Sequence, residues 1–228
     1  LVESGDDSYN TKKPWQRIII LFAGPFANFI LAAILYFSIA LMGAKTLAPV
    51  IGNISSNSVA AVAGLQTNDE IIRINNIDIK SWDEIGKVIT SSEGSLQFYV
   101  KRDNQIILKT INPVISDSQN MFNENIKKRM IGIAPKGEVV TLELSFFDSL
   151  TYAYEKTIFA STMIFQGVQK LIQGVIPSSE VGGVITIGKV ISDASESSII
   201  ALFAITALIS VNLGVLNLLP IPALDGGH

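Results

Sequence analysis

The sequence predicts a membrane α-helical protein with an α+β domain inserted between two transmembrane helices, and with one additional amphipathic helix. Three observations support this fold class. No charged side chain occurs in residues 18–44 or in residues 197–224. A helix needs roughly 20 apolar residues to cross a hydrocarbon core of about 30 Å, so either run is long enough. The stretch between the two runs carries most of the charged residues and is long enough for one modest domain.

Composition excludes several classes of protein. The formal net charge is -3 and no basic stripe is present, which argues against a nucleic-acid partner. The sequence contains no cysteine, so disulfides and thiolate metal sites are excluded. The partner that composition indicates is the lipid bilayer.

Residues 1–17 are predicted to form a loop on the cytoplasmic side. Three basic residues, Lys12, Lys13 and Arg17, directly precede or adjoin the first transmembrane helix, residues 18–44. Basic residues are enriched on the cytoplasmic side of membrane helices. The inserted domain is therefore expected outside the cytoplasm, on the periplasmic or extracytoplasmic side of a bacterial inner membrane.

Two residues within the first transmembrane helix are notable. Pro25 cannot donate a hydrogen bond to the carbonyl of Leu21, and a kink is expected there. Asn28 follows about one turn later, and a polar amide in hydrocarbon is expected to find a partner on another helix.

Residues 47–115 are predicted to form the α+β domain. Asn68 and Asn75 stand at turns where asparagine tolerates a positive φ. Ser81 and Glu84 form the pattern of a capping box. The predicted elements are a strand at 50–54, a helix at 58–65, strands at 70–74 and 77–79, a helix at 81–90, and a hairpin of 96–101 with 106–111.

This order of elements, together with the segments AGL and NDEIIRINN, resembles a PDZ domain of the circularly permuted bacterial protease type. PDZ domains bind extended peptides by adding a strand to a sheet edge. The resemblance implies a peptide-binding edge formed by Ile51, Gly52, Asn53 and Ile54. A plug or filter that binds no peptide is the alternative, and it stays open.

The remaining chain is predicted to contain five segments. Apolar residues recur at helical spacing after residue 146, but only residues 157–169 are uncharged, which is too short to span a bilayer. We therefore expect an amphipathic helix on the membrane surface or against the helix bundle. The apolar stripe comprises Phe147, Leu150, Tyr154, Ile158, Phe165, Val168, Ile172 and Val175. The segments are a β-rich connector at 116–145, the amphipathic helix at 146–176, a glycine-containing loop at 177–196, a transmembrane helix at 197–219, and a final motif at 220–228.

The final motif, the segment NLLPIPALDGGH, is the strongest indication of a functional site in the sequence. An aspartate at the centre of an apolar membrane helix costs about 2.5 to 3.5 kcal/mol, so Asp225 needs compensation beside its apolar run. Pro220 and Pro222 interrupt the helix and leave backbone groups that must be satisfied nearby. These conditions favour a liganded or hydrogen-bonded carboxylate. An interfacial aspartate that caps the next helix is the alternative.

Three features together, AGPFANF, the PDZ-like domain and NLLPIPALDGGH, resemble the site-2 protease family of intramembrane zinc metalloproteases over nearly the whole chain. In that family two histidines of an HExxH motif and the aspartate of the LDG motif hold the zinc. The resemblance implies that Asp225 is a Zn²⁺ ligand. It also implies that Asn217, eight residues upstream, positions substrate or stabilises the oxyanion.

The sequence departs from that family most clearly at the metal ligands. It contains one histidine, His228, and no HExxH motif, and His228 is not one of the usual ligands. A catalytic zinc needs three protein ligands and an open position. We therefore expect this chain to be a fragment that lacks the HExxH helix. A protein that has lost catalysis is the alternative.

The sequence thus favours a zinc-dependent intramembrane endopeptidase that cleaves transmembrane segments of membrane proteins. Anti-sigma factors and signal-peptide remnants are the substrates that the resemblance implies. A non-catalytic, membrane-anchored PDZ adaptor is the alternative from another class. A transporter fragment with a broken helix is weaker, because transporters rarely carry an inserted PDZ domain.

Overall fold

A computed structural model describes residues 12–122, 124–174 and 198–219. The predicted loop at 177–196, the motif at 220–228 and most of the N-terminal loop lie outside these residues. In chain order the elements are α1 (Pro14–Gly43), β1 (Ala44–Leu47), β2 (Ile51–Ile54), α2 (Val59–Val62), β3 (Glu70–Ile74), β4 (Ile77–Asp78), α3 (Trp82–Ser91), β5 (Leu96–Arg102), β6 (Gln105–Ile111), β7 (Val114–Gln119), β8 (Asn125–Met130), β9 (Ile133–Pro135), β10 (Val139–Leu142), α4 (Phe146–Ile172) and α5 (Ile199–Leu218).

The chain forms two compact units. A β-rich unit comprises Ala44–Leu142, and a helical unit comprises the described residues of Leu1–Gly43 and Glu143–His228. The β-rich unit therefore includes most of the segment predicted as a separate connector at 116–145. The reason is long-range strand pairing: β1 pairs with β10 and β2 pairs with β9, both antiparallel.

Two helices of the helical unit, α1 and α5, are long and apolar enough to cross a membrane by length and composition. α1 begins at Pro14, four positions before the predicted start, and proline is favoured in the first turn because its missing N–H has no helical acceptor. The helix continues without a break through Pro25, which is buried, although a kink was expected there.

The core of the helical unit is built mainly from small side chains. α1 contributes Ala32, α4 contributes Ala160, and α5 contributes Ala207, Val211 and Val215. Ile164 of α4 also belongs to the core, and many other large side chains of α1 and α5 are exposed. They include Ile18, Phe26, Ile30 and Ile34 of α1, and Leu202, Ile205, Ile209 and Leu213 of α5. Water-soluble proteins bury such residues, whereas membrane helices pack through small ones.

α4 starts where the sequence predicts but packs through a different face. Its N-cap Ser145 accepts a hydrogen bond from the Asp148 amide, and the helix ends at Ile172 rather than at 176. Gly174 follows with a φ of 70°, a left-handed conformation that often ends helices. The buried residues are Ser149, Ala153, Thr157, Ala160 and Ile164, while most of the predicted apolar stripe is exposed.

The β-rich unit contains an antiparallel four-stranded sheet in the order β4-β3-β5-β6. Its core holds Phe98, Ile71 and Ile74 from the sheet, and α3 adds Ile85 and Ile89. Alternate residues of β5 are buried, as the period of two in its sequence predicts.

Local predictions in this unit are confirmed at the turns and modified at α3. Asn68 has a φ of 72° and Asn75 a φ of 52°, both left-handed as expected of turn asparagines. Ser81 is the N-cap of α3, but its side chain makes no capping bond. Glu84 instead accepts a hydrogen bond from the backbone amide of Lys80, at 2.7 Å.

One buried ion pair joins β3 to β5. The Asp69 side chain is fully buried and accepts bonds from Nε and Nη2 of Arg102 at 2.7 and 2.8 Å. The backbone amide of Gln66 donates to the same carboxylate at 2.8 Å. The hydrogen bond to Asp69 raises the pKa of Arg102 above its ordinary value. This pair stabilises the end of the sheet where the loop before β3 meets β5.

We expect Asp69→Ala to destabilise the β-rich unit by about 3–5 kcal/mol, because the partner guanidinium loses its charge partner in a largely buried site. Glu70→Ala is the control, since Glu70 contacts Lys101 at 3.9 Å and both side chains are nearly half exposed. Exposed pairs of this kind contribute about 0–1 kcal/mol. Hydrogen exchange of the β3 and β5 amides in the intact protein measures the loss of stability in each variant. Equal losses in Asp69→Ala and Glu70→Ala would contradict the stabilising role of the buried pair.

A second expectation concerns the closest approach of α1 and α5. A Cβ on Gly214 would lie 3.0 Å from the ring of Phe29, so Gly214→Leu should force the helices apart. Overpacking of this kind costs about 1–3 kcal/mol. Thr206→Leu, on the exposed side of α5, should leave stability nearly unchanged. The comparison is made by detergent-induced unfolding of the intact protein, and a Gly214→Leu variant as stable as Thr206→Leu would contradict the packing.

Candidate functional site

The segment AGPFANF meets the end of α5 in the helical unit, while residues 220–228 of the final motif lie outside the described residues. The segment AGPFANF lies in the first half of α1, and NLGVLNL forms the end of α5. The hydroxyl of Ser210 donates a hydrogen bond to the backbone carbonyl of Asn28 at 2.8 Å. Gly214 lies directly against the ring of Phe29. The partner expected for the side-chain amide of Asn28 stays a prediction, because Ser210 bonds to the backbone oxygen of Asn28.

An apolar cavity of about 400 Å³ lies beside this contact. Its walls come from α1 and from the last residue of α5. The lining residues are Ile19, Phe22, Ala23, Pro25, Phe26, Phe29 and Leu218. The end of α5 therefore lies beside the AGPFANF segment, and the chain enters its final motif from this position.

Asn217 lies in the last turn of α5 and is half-buried. It follows Gly214 by three residues, so the two lie on neighbouring positions of one helix face. Gly214 is buried against α1, which places Asn217 next to the packed side of the helix. Asn212, on the same helix, is exposed. The two asparagines therefore have different surroundings, which the sequence alone does not reveal.

The predicted zinc ligand Asp225 lies outside the described residues, as does His228. Its role as a ligand stays a prediction. Within residues 12–122, 124–174 and 198–219, no group of three or more His, Cys, Asp or Glu side chains could hold a metal ion. A catalytic zinc site normally takes three protein ligands. The described part of the chain does not fit a complete zinc site.

The predicted peptide-binding residues Ile51, Gly52, Asn53 and Ile54 form β2. This strand pairs with β9 through Ile54 and Ile133, Asn53 and Ala134, and Ile51 and Pro135. The edge of β2 that faces β9 is therefore closed by the chain itself. β9, a strand over 70 residues away in sequence, occupies this side of β2. Peptide binding along the other side of β2 stays a prediction.

A polar cavity of about 510 Å³ lies in the β-rich unit. Its lysines already face carboxylates. Lys101 contacts Glu70 at 3.9 Å, and Lys136 contacts Glu138 at 2.7 Å. Asp103 adds a third carboxylate to the lining, beside Glu70 and Glu138, in an open and solvated surface.

Solved structures with some similarity include two PDZ domains of SdrC-like proteins. The domain from Listeria monocytogenes is 18% identical, with 38% of this chain and 84% of that chain covered and a TM-score of 0.31. The domain from Listeria innocua is 19% identical, with 39% and 92% covered and the same TM-score of 0.31.

Curated relatives align along nearly the entire chain. A Campylobacter jejuni protein, named as a candidate zinc metalloprotease, is 43% identical over 222 residues, which cover 97% of this chain and 60% of the relative. The regulator of sigma-W protease RasP of Bacillus subtilis is 32% identical over 222 residues, covering 96% and 50%. The chain thus spans less than two thirds of the length of either relative.

A protein-family profile described as peptidase family M50 matches residues 1–228. This match covers every residue of the sequence, including both motifs and the β-rich unit between them. The chain therefore belongs to peptidase family M50, the site-2 protease family of metalloproteases.

Proposed function

We propose that this chain is part of a zinc-dependent intramembrane endopeptidase that cleaves transmembrane segments of other membrane proteins. The observation that carries the proposal is the packing of AGPFANF against the end of α5, through Ser210, Asn28, Gly214 and Phe29. These two segments are far apart in sequence and contact each other within the helical unit, which supports a common site there. Membership of a metalloprotease family supplies the reaction class.

The proposed location is the bacterial inner membrane, as a multi-pass protein. The exposure of large apolar side chains on α1 and α5 supports burial in hydrocarbon. Lys12, Lys13 and Arg17 precede or open α1, which favours a cytoplasmic N-terminal side. The β-rich unit then lies on the extracytoplasmic side, where a PDZ-like filter would restrict access of substrates to the membrane site.

Two side chains are proposed to act directly. The Asn217 amide donates a hydrogen bond to the substrate carbonyl, and a donor of this kind holds the oxyanion as charge develops on it. Asp225 supplies one carboxylate ligand to the zinc, with the other ligands contributed from outside this chain. When bound, the metal polarises the scissile carbonyl and activates a water molecule. Asn217 is suited to its role because the α1 contact orients the end of α5.

The proposed substrates are membrane proteins with a single accessible transmembrane segment. The name of the Bacillus subtilis relative, regulator of sigma-W protease, supports a membrane-bound regulator such as an anti-sigma factor as one class. Signal-peptide remnants are a second class, because they too present an apolar helix that lies in the bilayer.

We expect Asp225→Ala in the intact protein to abolish both zinc retention and proteolysis, because removal of a first ligand leaves too few donors for the metal. Asp148→Ala is the control, since Asp148 is an exposed carboxylate in the first turn of α4. Zinc is measured by elemental analysis after dialysis, and cleavage by a reporter with a transmembrane segment. Retention of full zinc content and activity by Asp225→Ala would contradict the proposal.

Asn217→Ala is expected to reduce kcat by about 10²–10³, as loss of one oxyanion donor does, while zinc content stays constant. The matched control is Asn212→Ala, which removes an exposed amide from the same helix. Single-turnover cleavage rates in detergent separate the two. Equal rates for the two variants would argue against a direct role of Asn217.

A further inference from the structure

α4 has an outward face of large apolar side chains that no described residue covers. Phe147 and Ile172 are each 77% exposed, and Tyr154 is 68% exposed. Ile158 and Phe165 are about half exposed on the same helix. This face extends along the helix from its first turn to its last.

A second face of α4, about 120° around the helix from the first, consists mostly of small residues. Ser149, Ala153, Thr157 and Ala160 are buried, at spacings of four, four and three residues. Small residues let helix backbones approach closely, and they are the typical contact residues of helices in membranes.

The contacts of α4 also indicate its depth relative to α1. The ring of Phe146 lies 5.4 Å from that of Phe37, in the C-terminal part of α1. Further along α4, Ala160 and Ile164 share a core with Ala32, near the middle of α1. α4 therefore runs antiparallel to α1, from one end toward its middle. The α5 residues of the same core, Ala207, Val211 and Val215, extend from the middle of that helix to its last turn.

We propose that α4 is inserted into the bilayer and that its outward large-residue face contacts lipid acyl chains. This inference rests on the proposed membrane location of α1 and α5. If these helices span the bilayer, the core that Ala160 and Ile164 share with Ala32 and Val211 brings the second half of α4 into the hydrocarbon. α4 is then a third membrane element rather than a helix on the surface.

The charges of α4 are compatible with that depth. Asp148, Glu155 and Lys156 lie in its first half, on the side toward the end of α1. The uncharged residues 157–169 rise about 20 Å as a helix, at 1.5 Å per residue. Half of a hydrocarbon core is about 15 Å thick, so this segment reaches past the midplane. Lys170 can extend its amine toward the interface along its own aliphatic stem.

The side chains on the outward face of α4 favour contact with lipid over contact with another protein helix. The contacts of α4 with its own bundle already use its small residues, as interhelical contacts in membranes do. The outward residues are large and apolar, which is also the pattern on the exposed faces of α1 and α5. Large apolar side chains are thus exposed on all three long helices.

The test uses the intact protein in phospholipid vesicles, with any cysteine outside this sequence replaced. The sequence contains no cysteine, so single variants can be labelled with a nitroxide without background. Phe165→Cys reports the outward face of α4, Ile30→Cys the exposed face of α1, and Asp83→Cys an exposed position of the β-rich unit. Collision rates with oxygen, which concentrates in hydrocarbon, and with a water-soluble nickel chelate are measured at each position.

We expect the ratio of oxygen to nickel collisions at Phe165→Cys to match that at Ile30→Cys and to exceed that at Asp83→Cys several-fold. A Phe165→Cys ratio equal to that at Asp83→Cys would place this face in water and overturn the inference. An immobilised label shielded from both reagents would show a protein partner and also overturn it. A water-like ratio at Ile30→Cys would instead contradict the proposed membrane location itself, so the two failures are distinguishable.

Discussion

Close approach between α1 and α5 is the constraint on which the rest of the helical unit depends. It requires a residue without a side chain at position 214, where the ring of Phe29 occupies the space, and a short hydroxyl at Ser210 that reaches the Asn28 carbonyl. Larger residues at these positions would separate the helices. Because the contact lies within the last two turns before Asn217, it also determines where the end of α5 is held relative to AGPFANF.

The same preference for small residues explains the polarity of all three long helices. In water, burial of apolar area favours large side chains inside the core. In hydrocarbon that driving force is absent between helices, and close packing of small residues takes its place. Ala32, Ala160 and Ala207 meet in the core for this reason, while residues such as Phe26 and Phe165 face outward. The β-rich unit shows the opposite pattern, with Phe98 and Ile71 fully buried.

Local patterns in the sequence predicted much of the fold. The uncharged runs predicted α1 and α5, period-two alternation predicted β5, and asparagines predicted the left-handed turns at Asn68 and Asn75. The pairing of β2 with β9 was not predictable in this way, because neither strand contains information about a partner so distant in sequence. The apolar stripe of α4 was found, but periodicity does not tell whether such a stripe faces a core or lipid. The surroundings of Asp225 stay a prediction for a related reason, since they depend on residues beyond its own segment.

Oxidative cross-linking in vesicles tests the α1–α5 packing most directly. A variant of the intact protein with Ala32→Cys and Ala207→Cys joins two fully buried residues of one core. A pair with Ile30→Cys and Ile205→Cys joins two outward-facing residues of the same helices. The account predicts rapid disulfide formation in the first pair and little in the second. Failure of the buried pair to cross-link, or equal cross-linking of the two pairs, would contradict the helix contact on which the proposed site depends.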